Sequence, residues 1–319
     1  MAKIEFWYAG PNHQAFRSPG KSSPLEVTRT ANTAFERIYR NVSRERKAQL
    51  LQFRTVHALK RLAVRGVEWQ YIAAGTGTEA IMILGGGLST AESSFRTITE
   101  LEDRYRVLSP SYPPIGDLRL ILEGLSRILA AEGLKRAHFY GHSLGSAVAH
   151  AFVRSRPNMV DKLVLSSFGL YTPQHTQAAR IFIDQLSQMP EESIRAYYEK
   201  TITRLMSGAA DDECAFMQAY FEDLLTLQLS KAALLARFAM LTDLFDNADR
   251  YAVFAPVARP GKVLIIEAKD DTGFDATERE QLKATYPEAR VHTFESGGHW
   301  VGLTHSEEYD AALREFLQA

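Results

Sequence analysis

Four short stretches of this chain carry groups that could perform acyl transfer together: Gly141-His142-Ser143-Leu144-Gly145, Gly85-Gly86-Gly87, Asp270-Asp271 and Gly297-Gly298-His299. A serine hydroxyl is a poor nucleophile until a base takes its proton. The base needs an acid to fix its tautomer, and the oxyanion that forms needs positioned N–H donors. Ser143 sits in a Gly-x-Ser-x-Gly turn. Before it, Ala137 to Tyr140 read as a buried strand; after it, Ser146 to Val153 read as a helix of small apolar residues packed close to a sheet. A strand, a sharp turn and a helix in that order push the serine out at the top of a sheet. The bland alternative is a small residue in a tight turn, and the remaining parts decide between the two.

The base should lie late in the chain. His299 follows a strand candidate and two glycines, so its ring is presented on a short loop. His142 lies inside the turn, His138 and His150 sit on packed elements, and His305 stands one step before the last helix, where it suits capping. The acid should follow a strand between Ser143 and His299. Val263 to Ile266 is such a strand, and Asp270 and Asp271 come just after it; the strand ending at Ser166-Ser167 offers no carboxylate. A pair of aspartates there could also cap a helix or sit in a solvated turn, and the residues alone do not choose between Asp270 and Asp271. Leu144, directly after the serine, supplies one oxyanion N–H. The glycine triplet after the strand Ala80 to Leu84 supplies a backbone that can approach a substrate closely. No Gly-x-x-x-x-Gly-Lys-Ser/Thr and no Gly-x-Gly-x-x-Gly entering a helix is present, which disfavours nucleotide binding.

The elements that must position these groups alternate. Two strands fall between Leu59 and Ala74 with a turn at Arg65-Gly66. Further strands are expected at Ala80–Leu84, Val107–Ser109, Ala137–Tyr140, Leu163–Ser166, Val263–Ile266 and Arg290–Phe294. Helices are expected at about Leu118–Glu132, Thr277–Tyr286 and from Ser306. Alternation of this kind predicts an α/β fold with a central, mostly parallel sheet covered by helices on both faces. Residues 171–250 carry no convincing strand and read as an inserted helical cap. Their aromatic residues favour an apolar or aromatic substrate, while Arg180, Arg195 and Arg204 could meet an acidic one. The partition is an N-terminal arm with helices at 1–58, a core at 59–170 and 251–319, and the cap at 171–250. The arm reads first as a helical cover over the core edge and second as a homodimer contact.

The chain has 319 residues, 45% of them hydrophobic and 24% charged, with a formal net charge of -1. This is an ordinary globular composition with no footprint for nucleic acid or a polybasic membrane patch. No apolar run is long enough to span a membrane. The N-terminus lacks a signal-peptide layout, and a lone cysteine, Cys214, allows no internal disulfide, so a cytoplasmic location is expected.

Taken together, the Gly-His-Ser-Leu-Gly turn, the Gly-rich loop, the Val263–Asp271 strand and acid turn and the Ser296-Gly-Gly-His-Trp300 segment resemble the α/β-hydrolase superfamily over residues 59–319. The resemblance implies the α/β-hydrolase fold with a helical cap after the sixth strand, and no cofactor or metal. It implies Ser143 as nucleophile, His299 as base and Asp271, by the family spacing, as acid. Gly87, with Gly86 as the neighbouring choice, would join Leu144 in the oxyanion hole. The segments Ser109–Leu118 and Thr285–Trp300 look most like the maspardin-like branch. Departures are the Gly85-Gly86 pair in place of His-Gly and Thr272-Gly273 after the acid. The activity so implied is serine-dependent cleavage of an ester-type bond (carboxylester, thioester or lactone) in a small molecule. The alternatives are C–C bond hydrolysis and a non-catalytic binding or adaptor role on the same scaffold.

Overall fold

The structure is a computed structural model describing residues 33–205, 210–259 and 261–319. It divides into two units between Arg40 and Asn41; the sheet and the site both belong to the second, Asn41–Ala319. In the first unit, 33–38 are helical. Val27 and Ala31, with which the expected arm helix begins, lie outside the described residues, as does most of the expected dimer arm. Helix α1, Arg44–Val56, starts where Ser43 accepts from the Arg46 N–H.

Eight strands form one sheet: β1 Lys60–Val64, β2 Val67–Ala74, β3 Glu79–Leu84, β4 Tyr105–Ser111, β5 Ala137–His142, β6 Val160–Ser166, β7 Val263–Ala268 and β8 Arg290–Phe294, in the order β1-β2-β4-β3-β5-β6-β7-β8. The β1–β2 turn uses Arg65 (φ 50°) and Gly66 (φ 80°). Two positive-φ residues give the turn twist that a tight hairpin prefers. β2 is antiparallel to β1 and β4, and all other pairs are parallel. β3, β5, β6 and β7 are buried along nearly their whole length, as strands covered on both faces must be. β4 runs past Ser109 through Pro110. Its pairing with β3 ends at Leu108, so Pro110 has a partner strand on one side only, where a missing N–H is tolerated.

Helices α2 Phe95–Leu101, α3 Leu118–Ala131 and α4 Leu144–Ser155 follow in the first half. α3 starts at Asp117, which accepts from the Leu120 N–H, and ends before Gly133 at φ 71°. Between β6 and β7 the described residues form helices α5 Pro173–Gln188, α6 Glu191–Leu205, α7 Asp211–Asp223 and α8 Lys231–Asp246, with a π-helical turn at Leu224–Gln228. α9 Ala276–Thr285 opens with a capping box between Asp275 and Glu278, and the short α10 Val301–Thr304 leads into α11 Ser306–Gln318. Among the described residues, no single helix is long and apolar enough to cross a membrane.

The topology brings the chemistry together. Gly85, Ser143, Asp270-Asp271 and Gly297-Gly298-His299 each follow the C-terminal end of a parallel strand, β3, β5, β7 and β8, the edge where open α/β sheets hold their ligands.

Candidate active site

Ser143 has φ 52° and ψ -119°, a left-handed strained backbone for a residue with a Cβ. The strain is held from several sides. The Ser143 N–H donates to the Ser166 carbonyl at 2.9 Å. The buried Ser146 hydroxyl lies 2.8 Å from the Gly141 carbonyl and 3.0 Å from that of Ser166, and it accepts from the Ser166 N–H at 3.0 Å. The two glycines of the motif are there for close approach. A Cβ on Gly145 would lie 1.9 Å from the Leu84 carbonyl oxygen, and one on Gly141 would lie 2.5 Å from the Gly145 carbonyl oxygen. These contacts are backbone, so they cannot yield cheaply. Gly145→Ala is therefore expected to destabilise the fold by about 3 kcal/mol, read as a lowered denaturant midpoint with unchanged slope.

His299 is turned toward the serine. Its Nε2 lies 2.8 Å from Ser143 Oγ, and its Nδ1 lies 3.0 Å from both carboxylate oxygens of Asp271. With Nδ1–H donating to Asp271, Nε2 is left to accept the serine proton. Asp271 is buried. Burial by itself pushes its carboxyl up, but the hydrogen bond and charge of His299, the Gly273 N–H at 2.7 Å and nearby His142 together hold it below the usual carboxylate range. The residues alone had left Asp270 and Asp271 open, and the geometry gives each its own part. Asp270 accepts from the N–H groups of Gly298 at 2.8 Å and Gly297 at 3.2 Å, so it ties down the loop that carries His299. Thr272-Gly273, the departure after the acid, also has a physical reason: a Cβ on Gly273 would sit 2.7 Å from His299 Nδ1.

The oxyanion side is less symmetric than expected. Leu144 is the first residue of α4, so its N–H has no intrahelical partner. A Cβ on Gly86 would lie 3.5 Å from both Ser143 Cβ and His142 Cδ2, whereas one on Gly87 would meet nothing within 4 Å. Gly86 is the glycine whose backbone borders Ser143. The Gly87 carbonyl instead accepts from Arg237 at 2.7 Å.

Beside Gly86 and His142 lies a cavity of about 170 Å³, walled also by Phe221, Trp300, Tyr309 and Asp310. Phe221 and Trp300 stack at 5.1 Å and 8°, so α7 closes the cavity over the His299 loop. Burial, reinforced by the charge of His299, pushes His142 down to about 3, which leaves it neutral. His305 stands at the start of α11 but makes no side-chain cap; its Nδ1 lies 3.0 Å from Thr304 Oγ1.

Of the three arginines read as substrate partners, Arg180 pairs with Asp246, Arg195 lines a separate surface cleft, and the Arg204 side chain lies outside the described residues. Among the described arginines and lysines, Arg237 on α8 is the most deeply buried, 1% exposed. Its guanidinium lies over the Tyr112 ring at 6.0 Å, and among the described residues its Nε has no hydrogen-bond partner. The Tyr112 and Tyr198 hydroxyls are likewise buried without partners. Burial lowers Arg237 to about 10, so it stays charged near neutrality. Arg237, Asp310 and the tie made by Asp270 carry no sequence signal, because each depends on where a helix or loop packs rather than on a local pattern.

The model of the Alpha/beta hydrolase family matches residues 81–312. The chain is 28% identical over 276 residues to a 2-hydroxy-6-oxononadienedioate/2-hydroxy-6-oxononatrienedioate hydrolase of Paraburkholderia xenovorans, covering 79% of this chain and 91% of that one. It is 30% identical over 208 residues to a protein of the same activity from Pseudomonas putida, covering 62% and 67%. Among solved structures, a hydrolase from Pseudomonas aeruginosa superposes with a TM-score of 0.67 at 22% identity, covering 82% of this chain and 98% of that one.

Proposed function

Because the chain belongs to the alpha/beta hydrolase family, we propose that it is a serine-dependent hydrolase of a carbon–carbon bond beside a carbonyl, in a small conjugated keto acid. The observation that carries the catalytic part is the unbroken chain Ser143–His299–Asp271, at 2.8 and 3.0 Å. The choice of bond is supported by the substrate named for the relatives. Arg237 supports a carboxylate on the substrate: a buried guanidinium with an unused Nε beside the oxyanion loop is a ready partner for one.

In this reading Ser143 Oγ adds to the keto carbon while its proton passes to His299 Nε2. The oxyanion is held by the N–H groups of Leu144 and Gly86. Before collapse the proton of the 2-hydroxyl has moved to the carbon beside the keto group. Collapse therefore breaks the bond to a saturated carbon, whose electron pair runs through the adjoining double bond onto the 2-oxygen as an enolate. That oxygen takes the proton from His299 to give the 2-hydroxydienoate. Water, deprotonated by His299, then releases the acyl group from Ser143 as a carboxylic acid. One water is consumed, and the two products carry its hydrogen and its hydroxyl. Asp271 stabilises the imidazolium in both halves.

Carboxylester hydrolysis is the second reading. It uses the same residues and needs no electron sink, and the presence of an acid, Asp310, in the adjoining cavity favours it over a substrate with two carboxylates. Paired assays separate the two: decay of the absorbance of a 2-hydroxy-6-oxo-dienoate against release of p-nitrophenol from short esters. The proposed activity predicts kcat/KM at least about tenfold higher for the keto acid; the reverse order assigns the enzyme to esters. Arg237→Met, close in volume, is expected to raise KM for the keto acid about 10- to 100-fold, the loss of one charge-assisted hydrogen bond. A neutral ester should be nearly indifferent to it.

A further inference from the structure

The cavity beside Gly86 has one ionisable carboxyl among its lining residues, that of Asp310 on α11. The rest of the polar side-chain lining is hydroxyl, imidazole and the indole of Trp300. Ser89, Ser93, Ser94 and Thr97 line one side, and neutral His142 faces the nucleophile. Of the three buried tyrosines in the lining, Tyr220 donates to Ser93 Oγ at 3.1 Å, and Tyr140 and Tyr309 are committed to each other and the core. Tyr309 donates to Ser166 Oγ at 2.7 Å, so Tyr140 donates to Tyr309 at 2.9 Å. None has a proton to offer Asp310. Arg96 is the cation whose charge acts on Asp310; its Nη1 pairs with Glu213 at 2.7 Å, its guanidinium lies over Phe95 and Phe216, and its Nε and Nη2, buried without partners among the described residues, do not bond Asp310. Among the described residues, the Asp310 carboxylate makes no hydrogen bond or ion pair. A half-buried carboxyl that no protein donor meets is left to water or to a ligand for its hydrogen bonds.

We propose that this cavity is the subsite for one arm of the substrate, and that Asp310 selects an arm ending in a hydrogen-bond donor, an ammonium or a hydroxyl, and rejects one ending in a carboxylate. The size fits a short arm, and Phe221 and Trp300 supply an apolar wall along which its carbon chain can lie. Burial raises Asp310 to about 6, so it is ionised near neutral pH and attracts a donor or repels an anion there. This chain thus departs in specificity from relatives named for a dioate, whose substrate carries two carboxylates. The inference rests on Ser143 as nucleophile, not on which bond is cleaved.

The test uses three phosphonate probes that inactivate through Ser143, with arms of equal length ending in ammonium, methyl and carboxylate. Wild-type protein is expected to be inactivated fastest by the ammonium probe and slowest by the carboxylate probe, the two ends differing by about a hundredfold. Asp310→Asn should bring the three rates within about a factor of three, chiefly by accelerating the carboxylate probe. A carboxylate probe as fast as the ammonium probe, or an order preserved in Asp310→Asn, overturns the subsite while leaving the nucleophile intact. Absence of reaction with all three in folded protein overturns the nucleophile and the subsite together. Keto-acid turnover, measured separately, decides the bond.

Discussion

Ser143→Ala is expected to lower kcat by about six orders of magnitude while leaving the unfolding midpoint within error of the wild type. The first half follows from the geometry. Ser143 Oγ is the atom that His299 Nε2 faces at 2.8 Å, and without it the base has nothing to activate. The residual rate would come from the oxyanion donors and binding alone. The second half follows from the backbone. Alanine keeps the Cβ that serine already carries at φ 52°, so the strain of the turn is unchanged. The bonds that hold the turn, from the Ser143 N–H to Ser166 and through the Ser146 hydroxyl, do not use Ser143 Oγ. Steady-state kinetics with circular dichroism and a urea titration check both halves. A variant retaining more than about a hundredth of wild-type kcat contradicts nucleophilic catalysis at this position.

Asp271→Asn is the second large effect. The asparagine amide can present a donor to His299 Nδ1, which stabilises the tautomer with its proton on Nε2 and removes the acceptor that Ser143 needs. A fall of about ten-thousandfold in kcat is expected. Asp270→Asn is the control. Among the described residues, Asp270 bonds the Gly297 and Gly298 N–H groups alone; asparagine retains one acceptor oxygen, so the loop loosens and kcat falls about tenfold. Equal effects of the two substitutions would contradict the division of labour.

The same pair gives a pH prediction. The Asp271 carboxyl is held below its ordinary value in the folded protein. Its ionised contacts therefore stabilise the fold fully above the ordinary carboxylate pKa, and this contribution is lost as pH falls through the depressed value. The stability gap between wild type and Asp271→Asn should be constant through neutral pH and close on acidification. Urea midpoints across pH check this.

The fold was legible in the sequence where local pattern and tertiary role agree. The buried runs of β3, β5, β6 and β7 are apolar because helices cover both faces, and the glycines of the Ser143 turn are glycines because backbone lies 1.9 and 2.5 Å from where a Cβ would be. The positions of Ser143, Asp271 and His299 were legible for the same reason: each sits at a strand end that the sequence marks by apolar residues followed by Gly or Asp. What a single chain does not mark is contact across elements. Gly86 and Gly87 are indistinguishable as letters, and only the packing shows that Gly86 borders Ser143 while Gly87 bonds to α8. Arg180 and Arg195 looked as available as Arg237 until the helices were placed, because amphipathic patterning says which face is buried but not what it is buried against. Substrate class lies further still from the sequence, since the same triad serves esters and carbon–carbon bonds alike.

The most direct measurement is labelling of the folded protein with a fluorophosphonate, followed by mass spectrometry of the modified peptide. A serine activated by His299 and Asp271 predicts one adduct, on Ser143, and none in Ser143→Ala. An unlabelled wild-type protein, or an adduct on another residue, would contradict the assignment of Ser143 as the nucleophile.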